Sequence, residues 1–308
     1  MRYVTTRNSS VFYQAQQVLT ENVAPDGGLF IPVSLPQVDS RQLRDFLDAG
    51  CCEAIAQILN LFFNANLNAW DIQVCIGRYP IKITNPGRKT LIADVWGNPG
   101  GSYEYAVSSL NDRLLQSTGT TAQSWTRIAI GVAFAFGMYA EMHKTGMHEH
   151  GGSFDVCVLD GDLSQPLAML YARKMGLPIG RIIICSKENG VIWDLVNHGQ
   201  LNLHQISSAQ KLAMQRLLCC ILDTDHVTEY ISACETRSVY NILPEQKDLF
   251  SSYLFAAVIS DERTGAITEN IGVPVTTDTA TCYAGLQDYR AKTGQGRQTL
   301  LVSYTAPN

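Results

Sequence analysis

The sequence carries little charge and has no strong excess of either sign. Asp, Glu, Lys and Arg together make up 17% of the 308 residues, and the formal net charge is −5. The basic residues are scattered rather than clustered, so the electrostatic footprint of a nucleic-acid-binding protein is missing. We therefore expect small molecules or other proteins as partners, and no nucleic acid.

Long hydrophobic runs are also missing. No stretch approaches the ~20 apolar residues of a membrane-spanning helix, and the first residues lack the charged and apolar regions of a signal peptide. We therefore expect a cytoplasmic protein with no membrane contact. The hydrophobic fraction of 46% is nevertheless ample for a large core.

Motifs of common metal and nucleophile sites are absent as well. The nine cysteines form no Cys-x-x-Cys motif, and the sequence has neither a Gly-x-Ser-x-Gly segment nor a phosphate-loop signature. We interpret the cysteines as buried free thiols. His143, His148 and His150 are weak metal-ligand candidates, since imidazole binds zinc and nickel. Because the sequence places no second group of ligands beside them, we predict no resident metal.

The hydrophobic pattern indicates a β-α-β unit. Apolar runs of strand length at 154–159 and 181–185 flank a helical segment at 166–175. Such units build parallel sheets whose ligands lie beyond the carboxyl ends of the strands. The loop after the first run is therefore the candidate binding loop, and its weak cofactor-binding candidates are Gly161, Asp162, Ser164 and Gln165.

Two opposing effects act on an anion at this loop. Backbone N–H groups and a helix N-terminus would attract the anion, whereas the carboxylates of Asp160 and Asp162 would repel it. Taken alone, the loop is more typical of an ordinary turn with an Asp or Ser helix cap.

The remaining elements predict a single α/β domain with a mainly parallel sheet flanked by helices. We expect helices within 40–63 broken near Gly50, a strand at 90–96, and helices at 103–116 and 125–142. The segment 207–255 has a mostly helical pattern. A strand at 273–275, a helix at 279–292 and a strand at 299–304 complete the prediction.

Five separated segments, in order along the chain, resemble threonine synthase, a fold type II pyridoxal-phosphate enzyme. They are RYVTTRN with LTENVAPDGGLFIPVSLP, CCEAIAQILNLFF, QSWTRIAIGVAFAFGMYAEM, YARKMGLPIGRIIICSKENGVIWDLVNHG, and DTATCYAGLQDYRAKTGQGRQTLLVSYTAP. The corresponding family patterns include YxSTRG, LAPDGGLYxP, AKKMGLPI and a terminal TAHPAKF. This resemblance implies that family's fold and makes pyridoxal phosphate its cofactor.

The same resemblance implies that the cofactor site is degenerate. Glu104 falls where the family has the lysine that joins the cofactor, and a carboxylate cannot form an imine. In the family's phosphate loop only Gly161 is retained, while Asp160 and Ser164 would resist a phosphate. Ala306 stands where the family has a histidine. We therefore predict no cofactor, and no confident catalytic residue beyond the position of Glu104.

The chain also differs from the family in its domain organisation. In the family, a small mobile domain lies between two helices. The corresponding helices here end near 116 and start near 124. The resemblance implies that 117–123 is a short loop in place of that domain. The chain is then one unit, 1–308, in which 1–116 holds the N-terminal segment and the degenerate lysine region. The remainder of the large domain is 124–308.

We consequently expect a pseudoenzyme that acts by binding a protein partner, a second copy of itself or a small metabolite. Removal of a domain would expose apolar surface on the large domain, and such surface favours association with a partner. The alternative is a surviving enzyme, either a pyridoxal-phosphate lyase acting on a phosphate ester or a catalyst of new chemistry. In that case Lys89 or Lys187 would supply the amine, or Glu104 would act as a general acid or base.

Overall fold

A computed structural model describes residues 1–115, 124–148, 151–187 and 190–307. Within these ranges there are thirteen helices and eleven strands. The helices are α1 (Ala15–Thr20), α2 (Ser40–Ala49), α3 (Cys51–Phe63), α4 (Ala69–Ile76), α5 (Tyr103–Leu115), α6 (Trp125–Lys144), α7 (Ser164–Lys174), α8 (Val191–His198), α9 (Ser208–Ile221), α10 (Thr224–Thr236), α11 (Pro244–Tyr253), α12 (Asp261–Asn270) and α13 (Thr277–Thr293). The strands are β1 (Arg2–Thr5), β2 (Tyr13–Gln14), β3 (Phe30–Pro32), β4 (Lys82–Gly87), β5 (Thr90–Asp94), β6 (Phe154–Leu159), β7 (Ile179–Ser186), β8 (Gln200–Asn202), β9 (Val239–Asn241), β10 (Leu254–Val258) and β11 (Thr299–Ser303).

A six-stranded sheet forms the centre of the fold, in the order β10-β7-β6-β11-β5-β4. All neighbouring pairs are parallel except β4 with β5, which is an antiparallel hairpin at one edge. The predicted β-α-β unit is β6-α7-β7, and its two strands are adjacent and parallel. The predicted α/β class with a mainly parallel sheet is thereby confirmed.

The N-terminal segment forms a separate three-stranded antiparallel sheet, β2-β1-β3. It docks on α9, where the fully buried Arg216 donates from Nε to the carbonyl oxygen of Phe30 at 3.0 Å. Beside it, the Thr6 hydroxyl donates to Oε1 of Gln215 at 2.9 Å. Burial lowers the pKa of Arg216 to about 10, because the charged form loses its hydration. A small antiparallel pair, β8-β9, lies elsewhere in the fold.

Side-chain alternation divides the core into two layers. Along β6, Phe154, Val156 and Val158 belong to the larger hydrophobic cluster with α3, α6 and α7, whereas Cys157 and Leu159 face the opposite side. Helix α13 covers that opposite side of the sheet. The alternation of side chains along β6 therefore determines which helices each face of the strand contacts.

Helix α6 is buried almost all round, as its apolar sequence predicted. Sixteen of its twenty residues are buried, and it packs against α2, α3 and α7. Two glycines allow α6 to pack closely against α7 and α3. A Cβ on Gly131 would lie 2.7 Å from Cβ of Ala168 on α7, and one on Gly137 would lie 3.0 Å from Ile55 on α3.

One predicted strand was wrong, and the strand β10 was not predicted. The segment 207–255 is mostly helical, as predicted, with α9, α10 and α11 inside it, but its last two residues already belong to β10, which begins at Leu254. A five-residue apolar run cannot be distinguished from buried helix by periodicity, and β10 becomes a strand by pairing with β7. The predicted strand at 273–275 has no strand partner among the described residues. Its central residue, Pro274, lacks the N–H that a ladder needs.

The predicted short loop at 117–123 lies outside the described residues, so the expected absence of a small domain stays a prediction. Of the helices that the structure describes, none has the length and apolar character needed to span a lipid bilayer.

Gly131→Ala is expected to lower the free energy of unfolding by about 1–3 kcal/mol, because the added methyl group overpacks the α6–α7 contact. This loss opposes a gain of up to about 1 kcal/mol from the better helix propensity of alanine. Urea unfolding monitored by circular dichroism measures the difference.

Gly265→Ala is the matched control. Gly265 is exposed within α12, and a Cβ there would meet no atom within 4 Å. This variant should gain stability, by up to about 1 kcal/mol. Equal gains for the two substitutions would contradict the packing argument.

Candidate functional site

The carboxyl ends of the parallel strands bring the candidate binding loop to one edge of the sheet. The loop 160–163 leaves β6 there and leads into α7, while Ser186 ends the adjacent β7. Strand β5 ends at the same edge, and the chain then turns into α5, which carries Glu104 on its first turn. The candidate loop and Glu104 therefore follow the ends of two different strands, β6 and β5, at the same edge of the sheet.

Glu104 lies in a bidentate ion pair that the sequence analysis missed. Arg127, on the first turn of α6, donates from Nη1 to Oε2 of Glu104 at 2.7 Å and from Nη2 to Oε1 at 2.6 Å. The Arg127 side chain is 12% exposed and that of Glu104 is 66% exposed. The hydrogen-bonded Glu104 raises the pKa of Arg127, so the guanidinium is charged.

The same arginine also contacts the candidate loop. Its Nε lies 3.2 Å from Oδ2 of Asp162 and 3.3 Å from Oγ of Ser164. One guanidinium thus bridges the carboxylate of Glu104 on α5 and the carboxylate of Asp162 before α7. The site is a carboxylate–arginine–carboxylate network, and Gly161 and Gln165 flank it in sequence.

Asp162 caps the start of α7. Its Oδ1 accepts from the backbone N–H of Ser164 at 2.9 Å and from the Ser164 hydroxyl at 2.5 Å. The partial positive charge of a helix N-terminus favours an anion, and here that anion is a side chain of the protein itself. The N-cap residue itself is Leu163, which makes no side-chain capping bond, so the predicted Asp or Ser at the cap position is wrong; Asp162, one residue earlier, accepts the first N–H of the helix instead.

Asp160 holds the loop to the neighbouring strand. Its Oδ2 accepts from the hydroxyl of Ser186 at 2.6 Å, and its Oδ1 accepts from the backbone N–H of Gly161 at 2.8 Å. Burial raises the pKa of Asp160, because the carboxylate form loses hydration. Gly161 and Leu163 both have positive φ, 42° and 66°, so the chain makes a tight turn between these anchors.

The two candidate lysines lie at opposite ends of the parallel strands, one at the carboxyl ends and the other at the amino ends. Lys187 follows β7 at the carboxyl edge, where its Nζ lies 2.8 Å from Oδ1 of Asp278. Lys89 precedes β5 at the amino edge, roughly 17 Å away along a five-residue strand. Only Lys187 is therefore on the side of Glu104 and Asp162.

A cavity of about 550 Å³ opens beside Lys187. Its wall is mostly polar and includes the first residues of α13 and the segment after β11, with Lys187, Thr268, Val275, Thr276, Thr277, Asp278, Thr305 and Ala306 as the lining residues. Ala306, which falls at the family's histidine position, thus lines the cavity and leaves it without an imidazole at that position.

The histidine candidates do not form a metal site within the described residues. Both ring nitrogens of His148 are engaged, Nδ1 with Oε1 of Gln298 and Nε2 with the carbonyl oxygen of Gly152 at 2.7 Å. His143 lies on the last turn of α6, and His150 lies outside the described residues. The closest grouping of metal-ligating side chains in the described structure is one of cysteines instead.

Comparison with known proteins supports the resemblance at the N-terminus. Residues 2–79 match the family model described as "Threonine synthase N terminus". Human "Threonine synthase-like 1" is 31% identical over 87 residues, which are 28% of this chain and 12% of the relative. "Threonine synthase-like 2" of Xenopus laevis is 34% identical over 64 residues, 21% of this chain and 14% of the relative. The match thus spans only about an eighth of the length of these curated relatives.

The solved structures show the fold. The pyridoxal-phosphate-bound threonine synthase from Brucella melitensis superposes with a TM-score of 0.84 at 15% identity, covering 100% of this chain and 89% of that chain. The yeast threonine synthase gives a TM-score of 0.81 at 16% identity, with coverage of 99% and 87%. The predicted resemblance to threonine synthases is confirmed in the N-terminal segment and in the fold.

Arg127→Met is expected to lower the free energy of unfolding by about 1–3 kcal/mol, since it leaves two carboxylates facing each other without their shared cation. Methionine keeps a similar length of apolar side chain, so packing changes little. Urea unfolding at neutral pH measures the loss.

Arg113→Met provides the control. Arg113 pairs with Asp71 at a comparable distance of 2.6 Å, but its side chain is 45% exposed. Exposed pairs contribute less than about 1 kcal/mol, so this variant should remain close to the wild type. Equal losses for both arginines would mean that the network has no special role.

Proposed function

We propose that this chain, whose N-terminal segment and fold are those of threonine synthases, does not perform pyridoxal-phosphate chemistry and acts by binding. In this proposal it is a pseudoenzyme of the threonine synthase type. Two cations at the carboxyl edge, Arg127 and Lys187, are already paired with carboxylates of the protein itself. The ligand class that the site supports best is a small polar metabolite.

The network around Arg127 is the observation that carries the proposal. In a working anion site, an arginine and a helix N-terminus would both face an empty space for phosphate. Here the guanidinium faces Glu104 and Asp162, and the first N–H of α7 donates to Asp162. A phosphate would have to displace a carboxylate from each of these groups.

The described residues at this place do not fit pyridoxal phosphate. The position equated with the family's lysine carries an acid, which cannot form an imine with the cofactor's aldehyde. The candidate amine at this edge, Lys187, is held in a hydrogen-bonded ion pair with Asp278. We accordingly derive no catalytic step through the cofactor.

The cavity beside Lys187 supports a metabolite that carries both charges. Lys187 and Asp278 are about half exposed, at 40% and 47%, and they meet at the cavity wall. A zwitterionic amino acid could replace their mutual contact by pairing its carboxylate with the lysine and its ammonium group with the aspartate. Threonine hydroxyls in the same wall offer both donors and acceptors.

A protein partner or a second copy is the second class of ligand. Trp70 and Val74, one turn apart on α4, are 71% and 66% exposed. Helix α4 is anchored to α5 through Asp71 and Arg113, and the described part of α5 ends at Leu115. This apolar face thus lies next to the place where the resemblance puts the missing domain, and such faces favour association.

The cellular location stays a prediction. All nine cysteines are free thiols, and seven of them are buried. Free thiols are typical of reducing compartments, which supports a cytoplasmic protein.

The first test is incubation with pyridoxal phosphate, removal of the excess, and an absorption spectrum with and without borohydride reduction. We expect no retained imine band, because the first N–H of α7 and Arg127 already bind carboxylates and Lys187 is paired with Asp278. The threonine synthase from Brucella melitensis, which binds the cofactor, is the positive control.

Lys187→Met and Lys89→Met separate the possible outcomes. A stoichiometric band that reduction fixes on one lysine, and that Lys187→Met alone removes, would overturn the proposal and favour a surviving enzyme. Weak labelling that is equal in both variants would reflect surface lysines only.

Calorimetric titration with L-threonine tests the metabolite class. We expect Lys187→Met to weaken binding by roughly 10-fold or more, since it removes a charge-assisted hydrogen bond. Lys89→Met, at the opposite edge of the sheet, should bind as the wild type does.

If titration of the wild-type protein with L-threonine gives no heat of binding, the proposal that the cavity beside Lys187 binds an amino acid is contradicted. In that case a sedimentation coefficient that rises with protein concentration, and that falls in Trp70→Glu, would favour the apolar face of α4 as the binding surface.

A further inference from the structure

Three cysteines that are far apart in sequence converge behind the sheet. The Sγ atoms of Cys157, Cys185 and Cys282 all lie within 4.8 Å of one another. Those of Cys157 and Cys185 are 3.5 Å apart. The Cys157 thiol also donates to the carbonyl oxygen of Cys282 at 3.2 Å. We call these three side chains the thiol cluster.

The fold positions each sulfur for a different reason. Cys157 and Cys185 occupy adjacent parallel strands, β6 and β7, and point to the same face because of side-chain alternation. Cys282 reaches them from α13, which covers that face. One turn later on α13, Gly285 makes room, because a Cβ there would lie 2.1 Å from the sulfur of Cys185.

The surroundings of the thiol cluster are apolar and dry. All three cysteines are 0% exposed. The other buried members of the same hydrophobic cluster are Ile92, Ile183, Leu286, Tyr289 and Leu301.

This donor set restricts the kind of ion that would fit. Three sulfurs around one ion at about 2.3 Å would be about 4 Å apart, which matches the observed grouping. Hard cations such as Mg²⁺ and Ca²⁺ require oxygen ligands, and structural zinc takes four ligands. Thiolate sulfur favours soft ions, and Cu(I) is the soft monovalent ion among them.

We propose that the thiol cluster binds one Cu(I) ion. All three sulfurs bind the ion: two of the thiols lose their protons to solvent and bind as thiolates, and the third binds as the neutral thiol, so one Cu(I) leaves a single net negative charge in the apolar site. The copper keeps its oxidation state throughout. Because the cluster is closed to solvent, the ion enters during folding or local opening of α13.

The test is anaerobic refolding of the full chain with one equivalent of Cu(I), supplied as its acetonitrile complex, followed by competition with the chelator bicinchoninate. We expect one equivalent of copper to stay with the wild-type protein. X-ray absorption at the copper edge should then show three sulfur ligands and no nitrogen or oxygen ligand.

Cys282→Ala and Cys220→Ala form a matched pair, because each removes one buried thiol and only the first belongs to the cluster. Copper affinity should fall about 10- to 100-fold or more in Cys282→Ala and stay unchanged in Cys220→Ala. Circular dichroism of each variant confirms that it has refolded.

Three results would overturn the proposal. These are loss of copper from the wild type to the chelator, equal affinity in the two variants, and tighter retention of Zn²⁺ than of Cu(I) by the same thiols. If Cys282→Ala does not refold, the smaller change Cys282→Ser replaces it with the same expected loss.

Discussion

The rest of the structure depends on the packing of Trp125, a buried residue at the start of α6. Its ring makes edge-on contacts with Tyr3 of the N-terminal sheet, Phe62 of α3 and Tyr171 of α7. Large aromatic side chains bury much apolar surface, and perpendicular ring contacts specify orientation as well. The N-terminal segment, the core helices and the β-α-β unit are therefore held relative to one another at a single point.

Arg127 lies two residues further along α6, so the packing of Trp125 also fixes the position of the Arg127 backbone. A guanidinium can bridge two carboxylates only if its backbone and both partners are fixed, because the bidentate pair with Glu104 tolerates little displacement. Helix α6 fixes the arginine, α5 presents Glu104, and the capped start of α7 presents Asp162. The guanidinium is consequently bound by carboxylates of the protein itself, and an anionic ligand would have to compete with these contacts.

Side-chain alternation links this edge to the layer behind the sheet. Asp160 follows β6 directly and bonds to Ser186 at the end of β7. The same two strands carry Cys157 and Cys185 on the face that α13 covers. The register of one parallel strand pair thus sets the geometry of the candidate binding loop and of the thiol cluster together.

The sequence by itself determined the α/β class, the β6-α7-β7 unit, the burial of α6 and the location of the candidate loop, because these follow from local periodicity and turn residues. It also indicated Glu104 and Asp162 as separate features. Only the tertiary structure decided that Arg127 joins them, that β10 is a strand, and that three cysteines from distant segments meet. Each of these depends on which elements are neighbours in space, and contacts between side chains on different elements leave no periodic signal in a single sequence. Their separations run from 23 residues for Arg127 with Glu104 to 125 for Cys157 with Cys282.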